Sequence, residues 1–373
     1  MEKYNVLFVL LDGLRNDRLD LCPNLMKILN KGYFFSNMIT AAPYTLASVY
    51  SIVTGLYPAK HGVNSYFNMF KFKKDLCKTL AQYMEESDYY TESNMVSDSL
   101  IPKQSFDTFG VHDEYKDDLL KLHKGIISKA CKNKFFLFLQ YSNLHTQTII
   151  NVGKKYTDFS KEYFDDYDRN VRLYNEHLQK MDNYVEEIYN HLSQLGLLDN
   201  TIVIFFSDHG TSNGEKIGEK IYGSFTYDHT IKIFSSILVP GKTGKEIKYQ
   251  TRTIDLMSTI LELLDLKIDK SFEKIQGKSL MPFVDDKEKE DRVAFAETGG
   301  LNGPWPSHKE HNVFCVRFKN KKLIYDKTPK TWEFYDLDKD PAEKNNIYDG
   351  KNTEVIEFKK LLLGHIEDKG DLP

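Results

Sequence analysis

The sequence predicts an α/β protein. Residues 1–285 read as a three-layer α/β/α domain on a mostly parallel central sheet, and residues 286–373 as a small α+β subdomain with antiparallel strands. Three observations predict this. Asn5–Leu11, Phe135–Tyr141 and Thr201–Phe206 are nearly unbroken apolar runs, too short for buried helices and too continuous for strands with a wet face. Helical segments alternate with them, the pattern that builds parallel sheets. After about residue 290 short strands replace the helices.

The elements follow in order. Asn5–Leu11 is the first strand. Pro23 opens a helix over 24–30, and Gly32 stops it. Residues 46–53 form a helix that ends at Gly55, with Thr45 as its N-cap. Helices are expected at 76–86 and 117–130, then the strand Phe135–Tyr141. A long helix over 161–195 places Met181, Tyr184, Val185, Ile188 and Leu192 on one apolar face, a core stripe, and Gly196 ends it. Thr201–Phe206 is a strand, 233–239 another, and 253–266 an amphipathic helix. Asp285 to Arg292 is densely charged and marks the boundary. Short strands at 293–296, 313–318, 322–325 and 332–335 follow, with a hairpin turn at Lys319-Asn320-Lys321. A helix over 354–367 closes the chain.

Composition narrows the class. The chain has 373 residues, 41% hydrophobic and 13% aromatic, enough for a large core and against global disorder. The formal charge of -4 is dispersed, so no basic stripe suits nucleic acid. Lys71, Lys73 and Lys74 beside Phe70 and Phe72 read as a solvated loop. The first buried strand begins a few residues after Met1 with no signal peptide before it. No apolar run is long enough for a membrane span. Cys22, Cys77, Cys131 and Cys315 lack CxxC spacing, which suits free thiols in a reducing compartment. A cytoplasmic protein is the expectation.

The chemistry gathers where strands stop. Asp12 follows the first strand, and Asp208-His209 follows the strand Thr201–Phe206. In open α/β sheets ligands bind outside the carboxyl ends of strands. Two carboxylates and an imidazole there suit a divalent cation, and a cation makes a threonine hydroxyl a usable nucleophile. Thr45 is that hydroxyl, at a helix N-terminus that favours anions. Each residue has a plainer reading: a helix cap for Thr45, a turn acid for Asp12, a turn acid and surface histidine for Asp208-His209. Together they favour a site with Asp12, Thr45, Asp208 and His209 as ligands. His145 could bind a second cation or the departing oxygen, or be a loop residue. His229 is similar but weaker. Glu215 and Glu219 read as lid or surface acids, with a role in the site as the alternative, and His61 as a turn former. His308 and His311 read as substrate-facing lid residues. The loops 212–220 and 299–311 are expected to set the substrate.

These residues resemble the sulfatase family of the alkaline phosphatase superfamily. Asn5 to Asp12 resembles its opening strand and metal aspartate, and Pro23-Asn24-Leu25 its first helix. Thr54-Gly55-Leu56-Tyr57-Pro58 with His61-Gly62 is similar to the end of its nucleophile helix, and Ser207-Asp208-His209-Gly210 to its second metal motif. Ile254 to Thr259, Gly277-Lys278-Ser279-Leu280 and Phe334 to Pro341 are similar to its late segments. The resemblance implies an alkaline-phosphatase-like fold and a metal-dependent hydrolase.

The departures matter. The resemblance places Thr45 at the head of the family's Cys/Ser-x-Pro-Ser-Arg segment, which here reads Thr45-Leu46-Ala47-Ser48-Val49. Threonine cannot become formylglycine. The family's arginine there and its sulfate-holding lysine segment are missing; Met95-Val96-Ser97-Asp98 stands in the latter's place. Gly13 stands where sulfatases repeat the acid. A threonine with Asp-Gly resembles instead the nucleotide pyrophosphatase/phosphodiesterases and the phosphoethanolamine transferases. Asn143 stands where a second zinc site would want an acid, so one cation is expected and a second is doubtful. It could be zinc, manganese, magnesium or calcium.

The reading is a hydrolase or phosphotransferase of phosphate esters acting through Thr45, with His145 or His229 protonating the leaving oxygen. The substrate would be a phosphate or sulfate ester, for example an envelope or polysaccharide precursor. The alternatives are a sulfatase that works without formylglycine and a silent metal-binding pseudoenzyme.

Overall fold

The computed structural model describes residues 4–153, 161–299 and 312–367. The large sheet has nine strands among the described residues. They are β1 Asn5–Leu11, β2 Tyr33–Ile39, β3 Tyr90–Met95, β4 Thr108–Val111, β5 Phe135–Tyr141, β6 Thr201–Phe206, β7 Lys232–Leu238, β8 Lys245–Ile247 and β9 Thr251–Arg252. Their order is β4-β3-β5-β1-β6-β7-β2-β8, with β9 also on β2. Every pairing is parallel except those of β7 with β6 and β2.

The period-2 alternation of β1 divides its side chains between two cores. Val6, Phe8 and Leu10 join an apolar cluster with residues of the helices Thr45–Thr54, Leu80–Glu85 and Asp255–Leu263. Leu7, Val9 and Leu11 join the opposite cluster with residues of Pro23–Leu29, Leu119–Ala130 and Leu178–Gln194. That is the expected three-layer architecture. With both faces covered, β1, β5 and β6 are buried throughout.

The small sheet is antiparallel, in the order β10 Ala294–Thr298, β11 Val313–Phe318, β12 Lys321–Asp326, β13 Thr331–Asp336. Phe318 pairs with Lys321, leaving Lys319-Asn320 as a two-residue hairpin loop, with Lys319 at φ 53°. One face packs on Ile39, Tyr227 and Ile231. The other takes Val355, Phe358, Leu362 and Ile366 of the helix Thr353–Glu367.

The structure differs from expectation in three places. The helix over 161–195 is three pieces, Lys161–Asp165, Tyr167–Glu176 and Leu178–Gln194; the last carries the buried stripe. The strands β2, β3, β4, β8 and β9 have no counterpart in the sequence reading. Thr45 is not a cap: the cap position is Tyr44, and Thr45 is the first helical residue with its side chain turned away from the helix. No described helix is long and apolar enough to cross a membrane.

Candidate metal centre and nucleophile

The carboxyl ends of β1, β5 and β6 lie side by side, and each delivers one part of the site. Asp12 follows β1, the helix Asn143–Thr148 after β5 carries His145, and Asp208-His209 follows β6. Gly13 lets the chain leave β1 at φ 72°, and its N–H faces Asp208 Oδ1 at 3.4 Å. A Cβ at Gly13 would stand 3.0 Å from Thr211 Oγ1 and 3.2 Å from His145 Nδ1. A second acid at this position would therefore crowd the site.

Thr45 Oγ1 lies 3.1 Å from His209 Nε2 and 3.4 Å from Asp12 Oδ1. His209 Nε2 is 3.4 Å from Asp12 Oδ1 and 3.6 Å from Asp208 Oδ2. The structure thus brings together all four expected ligands, each buried. His209 Nδ1 lies 2.7 Å from its neighbour's carbonyl, Gly210 O, which fixes the proton on Nδ1. The Nε2 lone pair is left facing Asp12 and Thr45, the tautomer a metal ligand needs.

Electrostatics point the same way. Burial first, then the Asp208 charge, hold the Asp12 carboxyl well above the usual carboxylate range. Asp208 Oδ2 is buried with no hydrogen-bond partner in the structure. Two desolvated acids with one oxygen unmatched are costly alone and fit a divalent cation. Asp12, His145 and His209 also each offer a ligand atom, all within 4.8 Å of one another. His145 Nδ1 stands 3.6 Å from Asp12 Oδ1 and has no hydrogen bond. Burial, then His209, hold His145 down at about 3, so its ring is neutral. The donor set suits several divalent cations and does not choose among zinc, manganese, magnesium and calcium.

His229 stands elsewhere. Its Nε2 meets Glu219 Oε2 at 2.7 Å, and it lines a separate cleft of about 890 Å³ with Arg15, Glu215, Asp228 and Lys232. None of the Thr45 group lines that cleft. Glu215 and Glu219 are not surface acids: Glu219 is fully buried on His229, and Glu215 is paired with Arg15. His61 is buried within hydrogen-bonding distance of Ser51 Oγ (3.0 Å) and serves the turn. His308 and His311 lie outside the described residues.

Sequence reasoning missed several site residues. Gln140 donates to Asp12 Oδ2 at 2.7 Å and accepts from Val96 N, fixing the carboxylate. As the one amide in an apolar strand, it carried a readable signal. Ser48 donates to the Asp208 carbonyl at 2.9 Å from one turn along the nucleophile helix. Tyr222, whose ring stacks on His209 with centroids 5.1 Å apart, lies in an irregular segment and carried none.

A carboxylate–imidazole centre beside a helix-borne hydroxyl, at the carboxyl ends of the central strands of a mostly parallel sheet, defines a hydrolase class of the alkaline phosphatase superfamily. The chain belongs to the sulfatase family within it: residues 4–266 match the family described as Sulfatase, and residues 221–368 match the one described as N-sulphoglucosamine sulphohydrolase, C-terminal. It is 24% identical to an arylsulfatase of Clostridium perfringens over 98% of this chain and 95% of that protein. It is 28% identical to an N-acetylglucosamine-6-O-sulfatase of Bacteroides thetaiotaomicron, over 54% of this chain but 36% of that protein. In fold it is similar to a protein solved with its substrate D-glucosamine-2-N,6-O-disulfate (TM-score 0.74, 18% identity, 99% of this chain and 98% of that one). It is likewise similar to a phosphonate monoester hydrolase from Silicibacter pomeroyi (TM-score 0.77, 17% identity, 99% and 96%).

Proposed function

We propose that this chain is a metal-dependent hydrolase of sulfate esters in which Thr45 takes the place of the usual formylglycine. The observation that carries it is Thr45 Oγ1 set among Asp12, Asp208 and His209. A cation held by Asp12, Asp208 and His209 would supply the charge that lowers the hydroxyl pKa and offsets the oxygens of the reacting group. Thr45 Oγ bonds the central atom as the bond to the ester oxygen breaks, giving a threonine ester. The hydroxyl proton leaves through the adjoining acids to water. His145, neutral and beside Asp12, is placed to donate a hydrogen bond to the departing oxygen, and a water gives the proton. His229 has no part in this. A second water, or an acceptor alcohol, releases the group from Thr45.

The relatives support sulfate as the substrate class, because they are an arylsulfatase and an N-acetylglucosamine-6-O-sulfatase. A sulfated saccharide fits that company. A second reading, a phosphate diester or phosphonate, is supported by Thr45 itself, a plain hydroxyl that cannot become formylglycine, and by the phosphonate monoester hydrolase of similar fold. A reducing compartment belongs to the proposal, since all four cysteines are free. Purified protein loaded in turn with each divalent cation should hydrolyse para-nitrophenyl sulfate. Activity confined to bis(para-nitrophenyl) phosphate would select the second reading. Activity on neither, or full rates with Thr45→Ala, would end both.

A further inference from the structure

The loop between the short helical turn Tyr66–Asn68 and Cys77 puts apolar side chains into water. Lys71 N–H donates to Asn68 O at 2.9 Å and closes a β-turn with Met69 and Phe70 at its centre. Met69 and Phe72 pack inward against the core that holds the nucleophile helix, and the Phe72 ring meets Tyr50 edge-on with centroids 5.1 Å apart. Phe70, between them, turns outward and is 89% exposed. A second turn follows, where the N–H groups of Leu76 and Cys77 both donate to Lys73 O, at 2.9 and 3.0 Å. It leaves Leu76 55% exposed while Cys77 is buried. The loop is held in place: Lys73 N–H donates to His61 O at 3.0 Å, and a Cβ on Gly62 would stand 2.4 Å from Lys71 O. As a sequence the segment reads as a solvated loop; folded, it presents an aromatic ring at the tip of a fixed turn.

The same loop is basic. Lys71, Lys73 and Lys74 are exposed. From Pro58 to Leu80 the chain has five lysines and one acid, Asp75, although its net charge is -4. Asp75 and Glu273, whose N–H meets Leu76 O at 2.7 Å, stand at the Leu76 end. A ring and an aliphatic side chain among lysines suit the boundary layer of an anionic bilayer, where apolar groups enter the acyl region and ammonium groups meet lipid phosphates. A polyanionic chain would also match the lysines, but it would cover one face of the ring and leave Leu76 wet. The magnitudes suit reversible docking. A lysine close to an anionic surface is worth about fivefold, and burying a phenylalanine about 10- to 100-fold. Three lysines and Phe70 then give an association constant on the order of 10³ to 10⁴ M⁻¹, close to that of a single acyl chain.

We propose that this loop docks the protein reversibly on membranes rich in anionic lipid, with Phe70 at the acyl boundary and Lys71, Lys73 and Lys74 against headgroup phosphates. The inference goes beyond the proposed function and uses none of the Thr45 group. Its bearing on the site is one of place. The loop begins at Tyr66, whose ring lies 5.4 Å from that of Tyr44, the residue before Thr45. Phe70 is four residues further on, at most about 14 Å of chain. Docking would therefore hold the metal centre close to the lipid surface.

The test is sedimentation of the full chain with sucrose-loaded vesicles of phosphatidylcholine, with or without about one-third phosphatidylserine, in about 0.1 M salt. Wild type should be half-bound at about 0.1–1 mM accessible lipid when phosphatidylserine is present, and should stay in solution with phosphatidylcholine alone. Raising the salt to about 1 M, where screening acts within about 3 Å, should weaken binding at least about 10-fold. Phe70→Ser should weaken it by about 10- to 100-fold. The triple variant Lys71→Gln, Lys73→Gln, Lys74→Gln should lose about 100-fold. Both should melt as wild type does. Lys73 Nζ donates to Ala59 O at 3.2 Å; if the triple variant melts low for want of that bond, Phe70→Ser decides alone. A wild type that stays in solution at about 1 mM phosphatidylserine-containing lipid, equal binding to both vesicles, or variants bound within about twofold of wild type would overturn the proposal. So would binding to dextran sulfate that the lysine variant loses, with none to vesicles, which would assign the loop to a polyanionic chain.

Discussion

Asp208→Asn separates the cost of the centre from its use. The exchange is nearly isosteric. It retains Oδ1, which accepts from the Gly13 and His209 N–H groups at 3.4 and 3.0 Å, and replaces the unmatched Oδ2 with a donor. It also removes the charge that, after burial, most raises the Asp12 carboxyl. An unmatched buried polar group costs about 1–3 kcal/mol, so the metal-free variant should be more stable than metal-free wild type by about that amount. For a chain of this size about 1 kcal/mol moves the melting temperature by about 2 °C, so melts in chelator should rise by about 2–6 °C. Wild type should gain about 2.7 kcal/mol, or about 5 °C, when a cation is present at 100 times its Kd. The variant should lose most of that gain, along with turnover. Thermal melts by circular dichroism in chelator and in each metal measure both effects. A variant that melts below wild type in chelator, or responds to metal as wild type does, refutes the reasoning.

Three further outcomes follow from the same geometry. Gly210→Ala would put a Cβ 2.1 Å from the His229 carbonyl oxygen, so the backbone beside His209 must shift; a loss of about 1–3 kcal/mol by urea unfolding, with lowered kcat, is expected, and unchanged values would show that the turn yields freely. Lys322→Met removes the fully buried cation that meets Asp228 at 2.6 Å and Glu343 at 2.7 Å, leaving Asp228 to Arg317 at 3.0 Å and the buried Glu343 without its ion pair; about 3–5 kcal/mol should be lost, read as a lowered urea midpoint. Burial alone would raise the Glu215 carboxyl, but His229 and Arg15 outweigh it and hold the group at about 2, below its ordinary 4.5. A depressed carboxylate stabilises the fold above its unfolded value and ceases to as pH falls through the folded one. Up to about 3 kcal/mol should therefore disappear between pH 4.5 and about 2, and acid titration of Glu215→Gln should lack that component.

Legibility tracked how much of the outcome was local. β1, β5 and β6 are buried on both faces, so their apolar runs announced them. β3 did not: Thr91, Glu92, Ser93 and Asn94 are all buried, yet polar. Their partners are remote, with Thr91 on Asp107 and Asn94 on His112 and His123. Strand-end logic found Asp12, Asp208 and His209, because a carboxylate after a buried strand has few uses. Thr45 was found for the right neighbourhood and the wrong local reason: a cap would have tied its oxygen to the helix, whereas here the oxygen faces the acids. Glu215 and Glu219 read as lid or surface acids because nothing in the chain announces Arg15, 200 positions from Glu215, or His229, ten positions past Glu219, as their partners. Tyr222 lies in an irregular segment and meets His209 only in the folded chain.

The most direct measurement is the mass of the Thr45 peptide from acid-quenched enzyme mixed with excess sulfate ester, or with radiolabelled phosphate diester, during the first turnover. The account predicts a sulfo or phospho group on Thr45 that appears before steady state and disappears when the ester is spent. Rapid turnover with Thr45 unmodified at every quench time, and the group carried on another residue or directly into water, would contradict it.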